Sequence, residues 1–381
     1  MNKKKREFSH KIRQKRLGKA TYTLFDFFGA NRSFLLIVVA LVIIAGIIHP
    51  YTSFAMTFGF ILSSYGVIAN DSIQTLGLFI TANIHRRPTW LMWFFISFIF
   101  IITALGSWLL YHGDVSYNRL AVQGLIETPS QISFLQLVGP ILILVLTRMR
   151  IPVSTTFFLL NAFSSHPSSL GNMVIKSILG YSISFTAAFV GWFTLIKLEC
   201  LNFQKKPSKL WLPLHWITIG LLWMAWLMQD TSNMVVFLPR KMSLYLFLAF
   251  ITFICFLLGV LFYSRGGRIQ DIVDKKTGVT DIRAATIITF FYMGILFLFT
   301  FVNHVPMSTT FVFIGLLGGR ELAKGITQEN WKNKIFKTIF LIRRDLQYAF
   351  IGLFIAIMLT LLVNPTLRIA INSYIKNIFL R

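Results

Sequence analysis

Two aspartates are placed where carboxylates are rarely found. Of the thirteen Asp and Glu in the chain, only Asp71 and Asp230 lie inside apolar stretches; the others sit in polar segments or at segment ends. On insertion scales such a group costs about 2.5 to 3.5 kcal/mol, so it marks an ion path or a binding site unless a neighbouring helix simply satisfies it. Both aspartates stand in the same setting. Asn70-Asp71-Ser72-Ile73-Gln74 and Gln229-Asp230-Thr231-Ser232-Asn233 each read amide, Asp, hydroxyl, any residue, amide. Carboxylate and amide oxygens suit a hard cation such as sodium, and a carboxylate can carry a proton instead. Asp71, Asp230, Asn70 and Gln229 are therefore candidate ion-coupling residues, with the two aspartates as candidate sodium ligands.

A second pair of windows adds the complementary chemistry. Ile151-Pro152-Val153-Ser154-Thr155-Thr156-Phe157 and Val305-Pro306-Met307-Ser308-Thr309-Thr310-Phe311 agree at Pro, Ser, Thr, Thr and Phe. Pro followed by hydroxyl residues reads as a helix start, because Pro suits the first turn and Ser or Thr caps the free N–H groups. Standing alone, such a run is an ordinary capped helix. Duplicated within short membrane segments, backbone N–H groups, hydroxyls and the positive helix end form a cradle for a tetrahedral oxyanion. Ser154, Thr155, Thr156, Ser308, Thr309 and Thr310 are the candidate substrate-binding residues, with Gln74 and Asn233 beside them.

These residues need a frame within lipid. The 381-residue chain is 55% hydrophobic and 13% charged, with 39 Phe, where a soluble chain would carry about a quarter charged residues. Apolar segments are expected near 33–50, 54–82, 88–112, 131–147, 151–166, 170–197, 210–238, 242–263, 284–303, 305–319 and 346–364. Those ending at 166 and 319 fall short of the roughly 20 residues a crossing needs and read as broken or re-entrant. Asp71 precedes Ser154 by 83 residues and Asp230 precedes Ser308 by 78. Five segments per unit is an odd number, so the second copy enters the membrane with opposite polarity. The expected fold is an all-α polytopic membrane protein, with about eleven transmembrane or re-entrant segments in two inverted-topology repeats. The expected divisions are a basic cytoplasmic arm at 1–32, repeats at 33–167 and 168–320, a basic cytoplasmic loop at 321–345, and a final transmembrane helix with an amphipathic tail at 346–381.

The formal charge of +24 is explained by the same topology. With the N-terminus inside the cell membrane, 30 of the 37 Lys and Arg fall on the cytoplasmic side and six outside, which is the retention bias of inner loops. Anionic lipid, rather than nucleic acid, is the partner this implies for the basic arm. Lys176 lies within a span and reads as a snorkelling or charge-neutralising residue. Cys200, Cys255 and seven scattered His show no metal-ligand spacing, and no Gly-rich nucleotide loop is present. No cofactor is expected beyond a transported sodium ion or proton. No acid, base and nucleophile set stands outside the two motifs, so catalysis is not expected.

The paired motifs resemble those of a known family, the inorganic phosphate transporters of the PiT class, whose repeats carry a GANDVAN-like and a PxSTT-like element. Ile68 to Gln74, with Gly77 beyond, is similar to the first GANDVAN copy, and Met228 to Asn233 to a degraded second one. Ile68 stands where the family has glycine, Gln74 and Gln229 where it has asparagine, and Phe157 and Phe311 where it often has histidine. The resemblance covers most of residues 33–320. It implies a symporter of inorganic phosphate with sodium or protons, Asp71 and Asp230 at the ion and phosphate site with Asn70, Gln74 and Asn233, and the six hydroxyl residues on the phosphate. A symporter of another oxyanion such as sulfate, and a non-transporting membrane scaffold, are the alternatives; a homo-oligomer is compatible with each.

Overall fold

The computed structural model describes residues 31–83, 86–149, 151, 153–163, 167–197, 206–265, 281–302, 307–327, 331–364 and 368–369. The arm at 1–30, the tail beyond 369, Pro152 and Pro306 lie outside the described residues. The chain forms two units, the first ending at Ile47. That unit contributes α1 (Arg32–Ile48), which exposes Leu36, Ile37, Val39 and Ile47.

In the second unit, five helices precede the first hydroxyl motif. They are α2 (Thr52–Asn70), α3 (Ser72–Asn83), α4 (Thr89–Leu110), the four-residue α5 (Arg119–Val122) and α6 (Phe134–Arg148). The motif then opens α7 (Thr155–Phe163). There follow α8 (Pro167–Lys197), α9 (Trp211–Val235), α10 (Leu244–Tyr263), α11 (Ile282–Val302), α12 (Thr309–Thr327) and α13 (Trp331–Val363). Among the described residues, α2, α4, α8, α9, α10, α11 and α13 are long and apolar enough to cross a bilayer. The ends of α10 show how such a helix would sit. Tyr245 and Tyr263 are 86% and 90% exposed, about 27 Å apart along the axis, as an interfacial aromatic belt requires. The protein is a multi-pass membrane protein.

Corresponding elements pack in corresponding ways. In the first copy α2 lies against α6, and in the second α9 lies against α11; α4 packs on both α9 and α10. The closest approach joins α8 to α12, where Gly315 and Gly319 face the α8 backbone. A Cβ at Gly319 would come within 2.1 Å of the Phe185 carbonyl oxygen, and one at Gly315 within 2.5 Å of that of Tyr181. Without a hydrophobic drive between helices in lipid, small residues at such a seam are what let backbones meet.

Two expectations are corrected. The single segment over 54–82 is two helices, parted at Asp71. The segment expected to end at 319 continues to Thr327, and the loop expected over 321–345 is helical at 321–327 and at 331–345, where it begins α13. The first of the charges that suggested a loop are satisfied in place. Arg320, buried, pairs with Glu321 at 2.8 Å and stacks 5.1 Å from the Trp192 ring centre, while Lys324 reaches Glu321 at 3.5 Å.

Candidate ion and substrate site

Asp71 and Asp230 are each 1% exposed, and one hydrogen-bonded chain links them. On the Asp71 side, Asn70 Nδ2 donates to Asp71 Oδ1 at 2.7 Å and lies 2.9 Å from the Val153 carbonyl oxygen. The Thr155 hydroxyl donates to Asp71 Oδ2. Thr310, from the second copy, places its hydroxyl 3.4 Å from Asp71 Oδ1 and 3.1 Å from the Val153 carbonyl oxygen, with one proton to give between them. On the Asp230 side, Asn233 Nδ2 lies 2.8 Å from Asp230 Oδ1 and 3.1 Å from both the Thr155 and Thr156 hydroxyls. Thr309 stands beside Asp230. The path from one carboxylate to the other runs through Thr155 and Asn233.

The cross-links are reciprocal. Asn233, three residues after Asp230, reaches the hydroxyls of the first copy. Gln74, three residues after Asp71, donates through Nε2 to the Thr310 hydroxyl of the second copy at 3.2 Å. Each repeat thus holds the other's hydroxyl motif with its own amide, a contact pattern expected of two inverted modules that face each other.

Local structure explains the aim of these groups. The Ser72 hydroxyl bonds the Ile68 carbonyl one turn back, a side-chain competition with the helix ladder that bends helices. The chain accordingly breaks at Asp71. Ser308 caps α12: its Oγ accepts from the Phe311 N–H at 3.4 Å, and its own N–H donates to Ser177 Oγ on α8 at 3.0 Å. Ser154 occupies the same place before α7, yet its hydroxyl has no partner. Gln74 Oε1, Asp230 Oδ2 and Asn233 Oδ1 are also buried without a hydrogen-bonding partner. Four oxygens in such a state are costly unless a cation, a proton or a ligand donor meets them. Asp71, Asp230, Gln74 and Asn233 are the residues that could hold a hard cation.

Of the residues singled out from sequence, Asp71, Asn70, Gln74, Asp230, Asn233, Thr155, Thr156, Thr309 and Thr310 gather here. Gln229 does not join them. Its Nε2 donates to the Leu296 carbonyl oxygen at 3.1 Å and Thr300 Oγ1 at 3.0 Å on α11. Thr300 has a counterpart in Thr147, whose hydroxyl donates to Asn70 Oδ1 at 3.4 Å. These two threonines, seven and eight residues before Ser154 and Ser308, are a third matching pair that the sequence contained and that only the other two motifs would have drawn attention to. Tyr292, whose hydroxyl donates to the Thr309 carbonyl oxygen at 3.2 Å, and the Val153 carbonyl carry no such signal. Arg119 carries none either: it is 3% exposed on the short α5, in a segment that reads as a polar loop.

Fold and site together define a class: a helical membrane protein of two inverted repeats with a buried polar cluster at their junction. A comparison of folds makes this more specific. The chain is similar to a solved structure described as "The sodium-dependent phosphate transporter", with 13% sequence identity and a TM-score of 0.52, over 87% of this chain and 99% of that one. No protein-family model matches the chain, and no curated protein matches it by sequence.

Proposed function

We propose that the protein is a secondary active transporter that moves inorganic phosphate across the membrane, coupled to sodium or protons, by alternating access around the Asp71–Asp230 chamber. The observation that carries this reading is the reciprocal link between copies, Gln74 to Thr310 and Asn233 to Thr155 and Thr156, which ties two buried carboxylates into one polar cluster. The shared fold with a sodium-dependent phosphate transporter supports it. A cation on the carboxylate and amide oxygens offsets the charge of an entering anion, so the two bind together and neither crosses alone. Hydroxyls of Thr155, Thr156, Thr309 and Thr310, now turned to the aspartates and amides, exchange those partners for phosphate oxygens. A monoprotonated phosphate also needs an acceptor for its own proton, which Asp71 or Asp230 supplies and a donor-only sulfate site lacks. No covalent step is involved.

Radiolabelled phosphate uptake into proteoliposomes, with sodium and pH gradients imposed separately and sulfate as competitor, tests the proposal. Uptake driven by one gradient and resistant to excess sulfate is expected. Gradient-independent retention, or none with either gradient, overturns it, and displacement by sulfate moves the substrate to oxyanions in general. The count of Lys and Arg supports a cytoplasmic N-terminus in the cell membrane, with the arm at 1–32 on anionic lipid. Labelling of a cysteine introduced at Ser9 from inside only is the expected result.

A further inference from the structure

Beyond the aspartate cluster, α7 carries a second polar position that no described residue satisfies. Asn161 is 1% exposed, and neither Nδ2 nor Oδ1 of its amide has a hydrogen-bonding partner. Its neighbours on the helix, Phe157 to Leu160 and Ala162, are buried and apolar and offer it nothing. Asn161 stands seven residues after Ser154, which is two helical turns, about 10 Å along the axis and the same face. Helical side chains lean toward the N-terminus, which carries the amide back toward Ser154, whose own hydroxyl is unpartnered. An amide and a hydroxyl without partners in apolar surroundings are costly to keep.

The second repeat shows the same position in a purely structural use. Seven residues after Ser308 stands Gly315, whose missing side chain lets α12 close on the Tyr181 carbonyl of α8. The first repeat places a polar side chain where its twin has none. From the aspartate cluster α7 runs to an end tied to the first turn of α6, where Gln136 Nε2 lies 3.2 Å from the Ala162 carbonyl oxygen. There the rings of Phe163 and Phe237 meet edge to face at 4.9 Å, and Phe237 takes the space that a side chain at Gly59 of α2 would need. Along α7, Asn161 therefore lies between the cluster and an aromatic plug. Its amide offers two N–H donors and one acceptor, and the Ser154 hydroxyl one of each, with no charge. A cation would use the oxygens alone and leave both N–H donors unmet. A small protonated oxyanion uses the whole set, since its oxygens accept and its own hydroxyl donates.

We propose that Asn161 and Ser154 form a second oxyanion station, which the ligand occupies between the aspartate cluster and the plugged end of α7. That this ligand is the transported substrate rests on the transporter reading.

Melting of the purified full chain, alone and with inorganic phosphate or sulfate added at constant sodium, tests the station in wild type and Asn161→Leu. Leucine keeps the branched shape and removes both polar atoms. Without ligand, Asn161→Leu is expected to melt at or above the wild-type midpoint, because no partner is lost. Half-maximal stabilisation by phosphate is expected to need about tenfold more ligand than in wild type. If the bulk of leucine prevents folding, Asn161→Ala takes its place in the comparison. An unchanged phosphate dependence overturns the station and leaves the amide to buried water. Loss of folding in both variants overturns it too, because the amide then holds the fold. Sulfate replaces phosphate in the comparison if it alone stabilises the wild type. A wild type stabilised by neither anion defeats the transporter reading and the station with it, whereas a response shared equally by wild type and variant removes the station alone.

Discussion

In the first repeat the helix bearing the acidic residue breaks there, α2 ending at Asn70 and α3 starting at Ser72; in the second, Asp230 lies within an unbroken 25-residue α9. The hydroxyl motifs differ in the same sense. Ser308 is spent on capping α12 and on Ser177, whereas Ser154 keeps a buried hydroxyl without a partner. α12 is 19 residues long and sealed to α8 at Gly315 and Gly319, while α7 has nine residues. Equal parts have thus been given unequal duties. The second repeat is braced by its neighbours, and the first keeps an interrupted helix and a buried hydroxyl without a partner. In the carrier proposed above both have a use, because a binding site that moves must move against something that does not.

Four perturbations break or sharpen this contrast, from the largest expected effect down. Asp71→Asn and Asp230→Asn are each expected to abolish gradient-driven phosphate uptake in proteoliposomes, a loss of about 100-fold or more, since neither copy supplies a spare carboxylate. Uptake surviving in one of them would make that copy a bystander. Gly319→Leu forces a side chain into the Phe185 backbone and is expected to cost roughly 3 kcal/mol or more, read as a lowered melting midpoint. The same change at Gly294, where a Cβ meets nothing within 4 Å, leaves the midpoint close to wild type.

Ser308→Ala and Ser154→Ala form the third test. The first removes a cap and is expected to lower stability by about 1 kcal/mol; the second leaves stability level or slightly raised but weakens phosphate binding, seen as a higher KM for uptake. Reversed outcomes would exchange the duties assigned to the two copies. The smallest effect is expected at Ser72→Ala, which frees the Ile68 carbonyl for ordinary helix bonding and slows turnover by about threefold at unchanged KM. Ser232→Ala, whose hydroxyl bonds the Gln229 carbonyl oxygen at 3.0 Å inside the intact helix, leaves turnover unaltered.

Much of the helical frame, and most of the residues that gather around Asp71 and Asp230, could be read from the amino-acid order, for one physical reason. Lipid makes a buried carboxylate rare, so two of them in matching amide and hydroxyl settings stand out from the apolar background. Partner choice was not legible. Nothing in the order of residues says that Gln229 turns to Thr300 while Asn233 turns to Thr155, because both amides lie on one helix within a turn of Asp230. The helical stretch beyond 319 was hidden for a related reason: Arg320, Glu321 and Lys324 look like a loop until Trp192 and their mutual pairing supply the missing partners. Arg119 was hidden most thoroughly, since a guanidinium among polar loop residues is unremarkable until the loop folds inward.

The crossed amides tie residue 74 to residue 310 and residue 233 to residues 155 and 156, so each half of the duplication answers to the opposite half. Mutational drift in descendants of this gene is then constrained diagonally. A longer or shorter side chain at 74 calls for an adjustment at 310 in the opposite half, not at 154.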